Sequence, residues 1–352
     1  MEREKVIIGM SGGVDSSVAA YLLKKQGYDV VGVTMHIWQA ENQENGLKAE
    51  KDAKRIADAL GIEHRVVHFE KDFREKVVKY FIDEYLAGKT PNPCNVCNRV
   101  IKWECLLNAA DELGARYVAT GHYAKIDKLE NGRFAICNSV TARKDQTYAL
   151  YNLTQEQLSR TLMPVGAYEK DEIRRIAFEL GLDVASKADS QDICFIPDGD
   201  YASFIRNNCD INIEEGNFVD KTGKILGNHK GITNYTIGQR KGLNLSMGHP
   251  VFVTKIDAEN NQVVIGESED LFSKKVFARD FNYMAAGKME IGQRFIGKIR
   301  YAHKGEWCTV TDVSEENGTI EVEFDEPVRA ITRGQALVLY DGKYVAGGGT
   351  VE

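Results

Sequence analysis

Short apolar runs alternate with amphipathic stretches through the first half of the chain. KVIIGM at 5 to 10, YDVVGVTM at 28 to 35 and HRVVHF at 64 to 69 read as strands. SVAAYLLKKQG at 17 to 27 and EKDAKRIADALG at 50 to 61 carry their apolar residues at helical spacing between them. Strand and helix in strict alternation is the sequence form of a parallel α/β sheet, and a doubly wound one is expected. Phe73, Val77, Val78, Phe81, Ile82 and Tyr85 predict a further helix over 72 to 86, with Asp72 as its N-cap. It breaks at GKTPNPC, where two prolines are incompatible with a helix interior. ECLLNAADELG at 104 to 114 then reads as a crossover helix feeding a strand, ARYVATG, that ends at Gly121.

From about Gly199 the pattern changes to short alternating strands separated by turn pairs such as Thr222-Gly223, Asn317-Gly318 and Asp341-Gly342. VFVTKI, QVVIGE, FIGKIRY, CTVTDV, TIEVEF and ALVLY fit small barrels or sheets, with a boundary near 266 to 280. A chain of 352 residues with 43% hydrophobic residues can bury two or three cores. The expected division is a catalytic α/β domain over 1 to 205, a small central domain over 206 to 270 and a C-terminal β-barrel-like domain over 271 to 352.

Composition narrows the setting. MEREKVIIGM has no apolar leader, and no stretch of about 20 apolar residues follows. Seven cysteines, an odd number scattered over a long chain, point to a reducing compartment. A cytoplasmic protein without a membrane partner is expected. The formal charge of -7 argues weakly against a polyanion partner and leaves room for a local basic patch.

Gly9, Met10, Ser11, Gly12, Gly13, Val14, Asp15 and Ser16 lie between a strand and a helix and read as a nucleotide loop. Gly12 and Gly13 admit phosphate oxygens close to the backbone, and the first helical amides with the hydroxyls of Ser11, Ser16 and Ser17 would supply donors. No Gly-Lys-Ser/Thr follows, so this is not the loop that transfers a γ-phosphate. Asp15 suggests a magnesium or loop-positioning role. The stretch resembles the PP-loop pyrophosphatase superfamily, whose members cleave ATP between its α- and β-phosphates and adenylate a carbonyl oxygen. The loop alone suits an amidotransferase synthetase or an argininosuccinate synthetase equally well.

The cysteines discriminate. TPNPCNVCNRVIKW at 90 to 103 and DSQDICFI at 189 to 196, with TGHYA at 120, KDQTYAL at 144, YTIGQRKGL at 235 and Arg300-Tyr301, resemble the bacterial tRNA-specific 2-thiouridylase family. That family thiolates the wobble uridine, position 34, of lysine, glutamate and glutamine tRNAs. The resemblance implies an adenine-nucleotide α-hydrolase-like fold, ATP with Mg2+, and a sulfur donor such as a cysteine desulfurase or relay protein. It also implies that Cys194 carries a persulfide and that Cys97 is its partner. The chemistry is coherent, since an adenylated C2 is electrophilic and a persulfide delivers a sulfur that a second thiol can release by exchange. The TPNP run is expected to hold Cys97 on a mobile loop. Many family members have aspartate at position 94, so an acid/base role for that carboxylate does not carry over to Cys94. Cys94, Cys97 and Cys194 could instead offer three thiolates to a [4Fe-4S] cluster. Cys94 could equally tune or resolve Cys97. No other metal-ligand set is expected, and Cys105, Cys137, Cys209 and Cys308 read as small buried apolar residues.

Met35 and Gly121 fall at strand ends, and the resemblance places both at the adenosine. Arg294 to Lys304 interleaves Arg294, Lys298, Arg300, His303 and Lys304 with Tyr301 and contains no acid, a pattern that serves phosphate neutralisation and base stacking or simply a solvated strand face. By resemblance, Arg300, Tyr301, His122, Lys144, Asp145, Gln146 and Gln335 contact tRNA, and Asn92, Pro93 and Cys94 face the target base. A PP-loop ligase that needs no cysteine, and an inactive tRNA-binding protein, are the rival readings.

Overall fold

The computed structural model describes residues 3–38, 44–182 and 193–352. Residues 189 to 192 of the second cysteine segment lie outside the described residues. The first sheet has five parallel strands in the order β3-β2-β1-β4-β7. β1 (Lys5–Gly9) is central, flanked by β2 (Asp29–His36) and β4 (Tyr117–Ala119), with β3 (Glu63–His68) and β7 (Thr161–Leu162) at the edges. Val6, Ile7 and Ile8 are all fully buried because helices cover both faces, which is why β1 reads as a continuous apolar run instead of an alternating one. α1 (Val14–Lys25) follows β1, and α2 (Glu44–Leu60) connects β2 to β3. The strand order reverses between β1 and β4, so the ligand crevice of this sheet opens beyond the ends of those two strands, at Gly9 and at Thr120-Gly121.

Two expectations about helices are corrected. The helix anticipated over 72 to 86 begins earlier, as α3 (Glu70–Phe73), passes through a π-helical turn at Arg74–Val78 and ends as α4 (Lys79–Leu86). Phe69, not Asp72, is the N-cap; Asp72 lies within the first turn and pairs with Lys76 at 3.2 Å. The segment around the first cysteine pair is no mobile loop either. Pro93–Cys97 forms a short helix, α5, with Pro93 in its first turn and the Asn92 side chain accepting the Cys94 N–H at 3.1 Å. Proline is compatible with a helix start because its missing N–H has no intrahelical partner there. α5 runs through a π-helical stretch, Asn98–Trp103, into α6 (Glu104–Glu112).

The hairpin of β5 (Lys125–Lys128) and β6 (Phe134–Cys137) leaves the first sheet, and α7 (Gln155–Ser159) and α8 (Lys170–Glu179) complete the α/β layer. Where the sequence pattern suggested only strands after Gly199, α9 (Tyr201–Asn208) intervenes. The second sheet has four strands, β8 (Gly216–Val219), β9 (Ile225–His229), β10 (Phe252–Asp257) and β11 (Gln262–Gly266), in the order β10-β11-β8-β9. The third comprises β12 (Phe272–Tyr283), β13 (Arg294–Lys298), β14 (Glu306–Ser314), β15 (Thr319–Arg329), β16 (Ala336–Asp341) and β17 (Tyr344–Val351). Pairing of β12 with β17 closes these strands into a barrel, and β6 pairs with β17 to append the hairpin. One apolar cluster runs from Ile7, Val33, Trp103 and Leu106 through Tyr148 and Leu150 to Val338, Tyr340 and Val345. The barrel and the α/β layer therefore share a core, so the two pack as one body.

Candidate active site

The loop after β1 sits at the crevice. Gly12 has φ +66°, and a Cβ there would meet the Ala49 carbonyl oxygen at 2.6 Å, so both backbone conformation and space require glycine. A Cβ on Gly121 would lie 2.7 Å from the Ser16 nitrogen, so Gly121 lets the end of β4 close onto the start of α1. The hydroxyls of Ser16 and Ser17 brace the loop from within. The Ser17 hydroxyl donates to the Gly13 carbonyl at 2.6 Å, the Ser16 hydroxyl to the same oxygen at 3.3 Å, and the Ser11 N–H donates to Ser16 Oγ at 3.3 Å. What remains for an anion is the N-terminus of α1, a helix of 12 residues whose dipole and first amides favour negative charge. Asp15 is held in place: Lys170 Nζ donates to its Oδ1 and Oδ2 at 2.8 and 2.9 Å, and the Tyr123 hydroxyl donates to Oδ1 at 2.7 Å. Met35 lies near the end of β2 and packs against the core cluster that contains Val33 and Leu106.

The thiols lie on the neighbouring flank. Cys97 is buried among Phe73, Phe81, Ile101, Phe195 and Ile196, while Cys94 and Cys194 are exposed and all three are free. Phe195 anchors its neighbour Cys194 by inserting into an aromatic cluster, with ring centroids 5.5 Å from Phe73, 5.5 Å from Phe81 and 5.2 Å from Phe204. Such contacts contribute about 0.5–1.5 kcal/mol each beyond buried area. Burial pushes the Cys97 thiol up to about 12; the Lys102 ammonium opposes this, and Cys194 and Cys94 add to it. The Cys194 thiol is raised too, by the crowding of surrounding protein first and by Cys94, again against Lys102. Cys97 and Cys194 thus come under the influence of one cation, Lys102. Lys102 also faces His122, whose imidazole burial, together with that ammonium, holds down to about 3 and therefore neutral. His122 Nδ1 bonds Thr120 Oγ1 at 2.8 Å, and its ring lies 5.5 Å from that of Trp103.

The residues expected to contact tRNA come from the stretch after β4, the turn around Asp145 and the barrel. Tyr301 is half exposed, and its hydroxyl donates to the Asp145 carbonyl at 3.1 Å. Gln146 takes the Tyr123 N–H on its side chain at 2.8 Å and returns its own N–H to the Tyr123 carbonyl at 3.0 Å. The Asp145 carboxylate is occupied by its own turn, accepting from Asn138 at 3.1 Å, Ser139 at 2.9 Å and Thr147 at 3.1 Å, so it shapes the turn that carries Lys144. Arg300 donates to the Arg329 carbonyl at 2.8 Å, and Gln335 donates to the Thr90 carbonyl at 2.7 Å. At the far end of the basic stretch Arg294 is paired with Asp325 and lies over the Trp307 ring.

Family models match this architecture in order: a tRNA methyl transferase HUP domain over 4–198, a tRNA methyl transferase PRC-barrel domain over 203–267 and an aminomethyltransferase beta-barrel domain over 273–351. The tRNA-specific 2-thiouridylase MnmA of Lachnoclostridium phytofermentans is 55% identical over 356 residues, covering 99% of each chain. Its counterpart from Clostridioides difficile is 54% identical, covering 99% of this chain and 98% of the other. The chain belongs to the tRNA-specific 2-thiouridylase family. Among solved structures, a predicted subunit of tRNA methyltransferase from Methanocaldococcus jannaschii aligns over 50% of this chain and 76% of its own, at 22% identity and a TM-score of 0.34.

Within this 2-thiouridylase-family fold, some contacts had no counterpart in the sequence pattern. Lys170, which no motif flagged, and Tyr123 of the TGHYA block reach Asp15 from 155 and 108 residues away. Lys102 falls within the first cysteine motif, but its place beside two thiols emerges only when the π-helical stretch and the Phe195 anchor meet. Thr90 has the sequence context of a loop start, yet it bonds Thr236 of the central domain at 3.3 Å and receives Gln335 from the barrel.

Proposed function

We propose that the chain is a tRNA-uridine 2-sulfurtransferase that binds ATP at residues 9 to 16, adenylates the C2 oxygen of uridine 34 and delivers sulfur from Cys194. The observation that carries this reading is one connected line of contacts. Asp15 of the nucleotide loop bonds Tyr123, Tyr123 bonds Gln146, and the adjoining Asp145 bonds Tyr301, while Gly121 packs against the start of α1. A base extruded into this crevice would have a nucleotide on one side and sulfur on the other.

The C2 oxygen attacks the α-phosphorus and pyrophosphate departs, with the α1 N-terminus stabilising the developing charge. Since Lys170 already occupies Asp15, Mg2+ is expected to ride on the phosphates, where it neutralises the leaving group. The terminal sulfur of a Cys194 persulfide then attacks C2 and AMP leaves. The Cys97 thiolate attacks the sulfur of Cys194, releasing the 2-thiolate of the base and leaving a Cys97–Cys194 disulfide that an external thiol reductant resets. With its thiol held up near 12, Cys97 is stored protonated in this state, and loss of burial on base entry would release it. Met35 and Gly121 would line the adenosine. Asn92, Pro93 and Cys94 would face the base; His122, Lys144, Asp145, Gln146, Arg300, Tyr301 and Gln335 would bear on the anticodon arm of lysine, glutamate and glutamine tRNAs. The proposed domains remain 1 to 205, 206 to 270 and 271 to 352, and the donor is a cysteine desulfurase or relay protein.

A second reading rests on the free thiols of Cys94, Cys97 and Cys194, which would hold a [4Fe-4S] cluster that supplies sulfide. The test incubates tRNA, ATP and a persulfide donor with the protein and follows pyrophosphate release alongside mass spectrometry of the tRNA. The expected result is tRNA-dependent pyrophosphate with one sulfur gained at uridine 34. Pyrophosphate without tRNA would favour a ligase, and tRNA binding without pyrophosphate an inactive binder. Stoichiometric iron and sulfide after anaerobic purification would replace the persulfide route with the cluster.

A further inference from the structure

A second cluster, which no cysteine touches, lies at the edge of the α/β sheet. β2 and β3 pair to their last residues, so His36 stands opposite His68, with ring centroids 5.0 Å apart. Glu70, two residues beyond β3, directs Oε1 to within 3.0 Å of His68 Nδ1 and 3.9 Å of His36 Nδ1. One ligand atom from each of the three residues falls within a 4.8 Å span. A tetrahedral ion with bonds of about 2.1 Å would separate its ligands by roughly 3.4 Å, a value the two measured separations bracket. The far side of His36 is organised as well: its Nε2 lies 2.7 Å from Glu50 Oε2 on α2. A carboxylate on the outer nitrogen fixes the tautomer that leaves Nδ1 free to ligate, the arrangement that surrounds metal-bound histidines.

We propose that His36, His68 and Glu70 form a transition-metal site, selective for Zn2+-class ions, with Glu50 as the outer carboxylate that orients His36. Two imidazoles and one carboxylate suit zinc better than the all-oxygen shells preferred by Mg2+ or Ca2+. The site is half sheltered, with side-chain exposures of 15% for His36 and 30% for Glu70 and a more open His68 at 66%, which leaves room for solvent as a fourth ligand. Its location gives it leverage: Glu50 follows Ala49, whose carbonyl abuts Gly12 of the nucleotide loop. An ion here ties β2, β3 and α2 together behind that loop. The site stands apart from the proposed reaction, because it requires neither tRNA nor sulfur. It also adds a ligand set that the sequence pattern did not suggest.

The test must exclude the thiols, which bind the same ions. Metal-free full-length protein carrying Cys94→Ser, Cys97→Ser and Cys194→Ser is titrated with Co2+ and then Zn2+. The expected result is one equivalent of Co2+ showing weak visible d–d bands without a thiolate charge-transfer band, displaced by Zn2+. In the same background His68→Gln and Glu70→Gln should weaken Co2+ binding by about tenfold or more, and Glu50→Gln by about 10–100-fold. His68 is exposed at a strand end, so its substitution should leave the far-ultraviolet circular dichroism unchanged. Failure to retain Co2+, or Co2+ binding unaffected by His68→Gln, would overturn the site.

Discussion

The loop at residues 9 to 17 and the segment at residues 90 to 97 are held in different ways. The loop is secured within its own layer: Lys170 and Tyr123 fix Asp15, serine hydroxyls close on Gly13, and Gly121 packs against the start of α1. The cysteine segment is secured from outside. Thr90 accepts Gln335 from the barrel, donates its N–H to the Arg333 carbonyl at 2.8 Å, and touches Thr236 of the central domain. Beside it Lys89 meets Glu352 at 3.0 Å, and Glu352 also binds Arg333 at 3.0 Å and Arg279. The loop at residues 9 to 17 is thus fixed by its own layer. The cysteine segment is tied at Lys89 and Thr90 to the central domain and the barrel, and its Cys97 is buried.

Four substitutions break or sharpen this contrast. The largest effect is expected at Cys194: Cys194→Ser should lower 2-thiouridine formation by on the order of 10^3-fold or more while tRNA-dependent pyrophosphate release persists. Parallel loss of both activities would mean that the two ends are not separable. Gly121→Ala forces a Cβ to within 2.7 Å of the Ser16 backbone. Overpacking of this kind costs about 1–3 kcal/mol, so the KM for ATP should rise roughly 10–100-fold with the alkylation rate of Cys194 unchanged.

Lys102→Met tests the shared cation. Because Lys102 lowers both Cys97 and Cys194, its loss should move both thiols further up and reduce their thiolate fraction below pH 9. Less thiolate at a given pH means slower alkylation, so iodoacetamide labelling of Cys194 near pH 8 should slow, with its pH profile displaced to higher pH. Lys102→Arg should restore much of the rate, an outcome that simple damage to packing would not produce.

The smallest effect concerns the external clamp. Burial works to raise the Glu352 carboxyl, but hydrogen bonds from Arg279, Lys89 and Arg333 overcome it and hold the group down to about 2, from an ordinary 4.5. A depressed carboxyl stabilises the fold above its unfolded value and loses that contribution as pH falls through the folded one. Wild-type stability should therefore drop between about pH 4.5 and 2, and Glu352→Gln should remove about 1–2 kcal/mol at neutral pH, after discounting for partial exposure. Urea titrations across that range read both. A flat difference between wild type and variant would show that the clamp contributes nothing.

The same contrast governs what could be read from the chain. The turn between β1 and α1 was legible because its determinants are local: a strand, glycines that permit close approach, and a helix start, all within a dozen residues. The parallel sheet was legible for the same reason, since its apolar runs are long and its helices amphipathic. β12 and β17 were not, because FSKKVFARDFNY mixes charge into a strand buried only along part of one face, and YVAGGGTV carries three glycines that lower its strand propensity. α5 was missed because proline was read as a breaker where it serves as a start.

By itself, the sequence determined the family, the parallel α/β sheet with its Gly-rich loop between β1 and α1, and the change to β structure in the second half. Each of these is encoded by neighbours along the chain, where spacing and side-chain chemistry suffice. Tertiary structure decided the burial of Cys97, the cation that bears on Cys97 and Cys194, the clamp on Thr90 and the meeting of His36, His68, Glu70 and Glu50. Burial and electrostatic fields depend on which residues arrive from elsewhere in the chain, and no local pattern records that arrival.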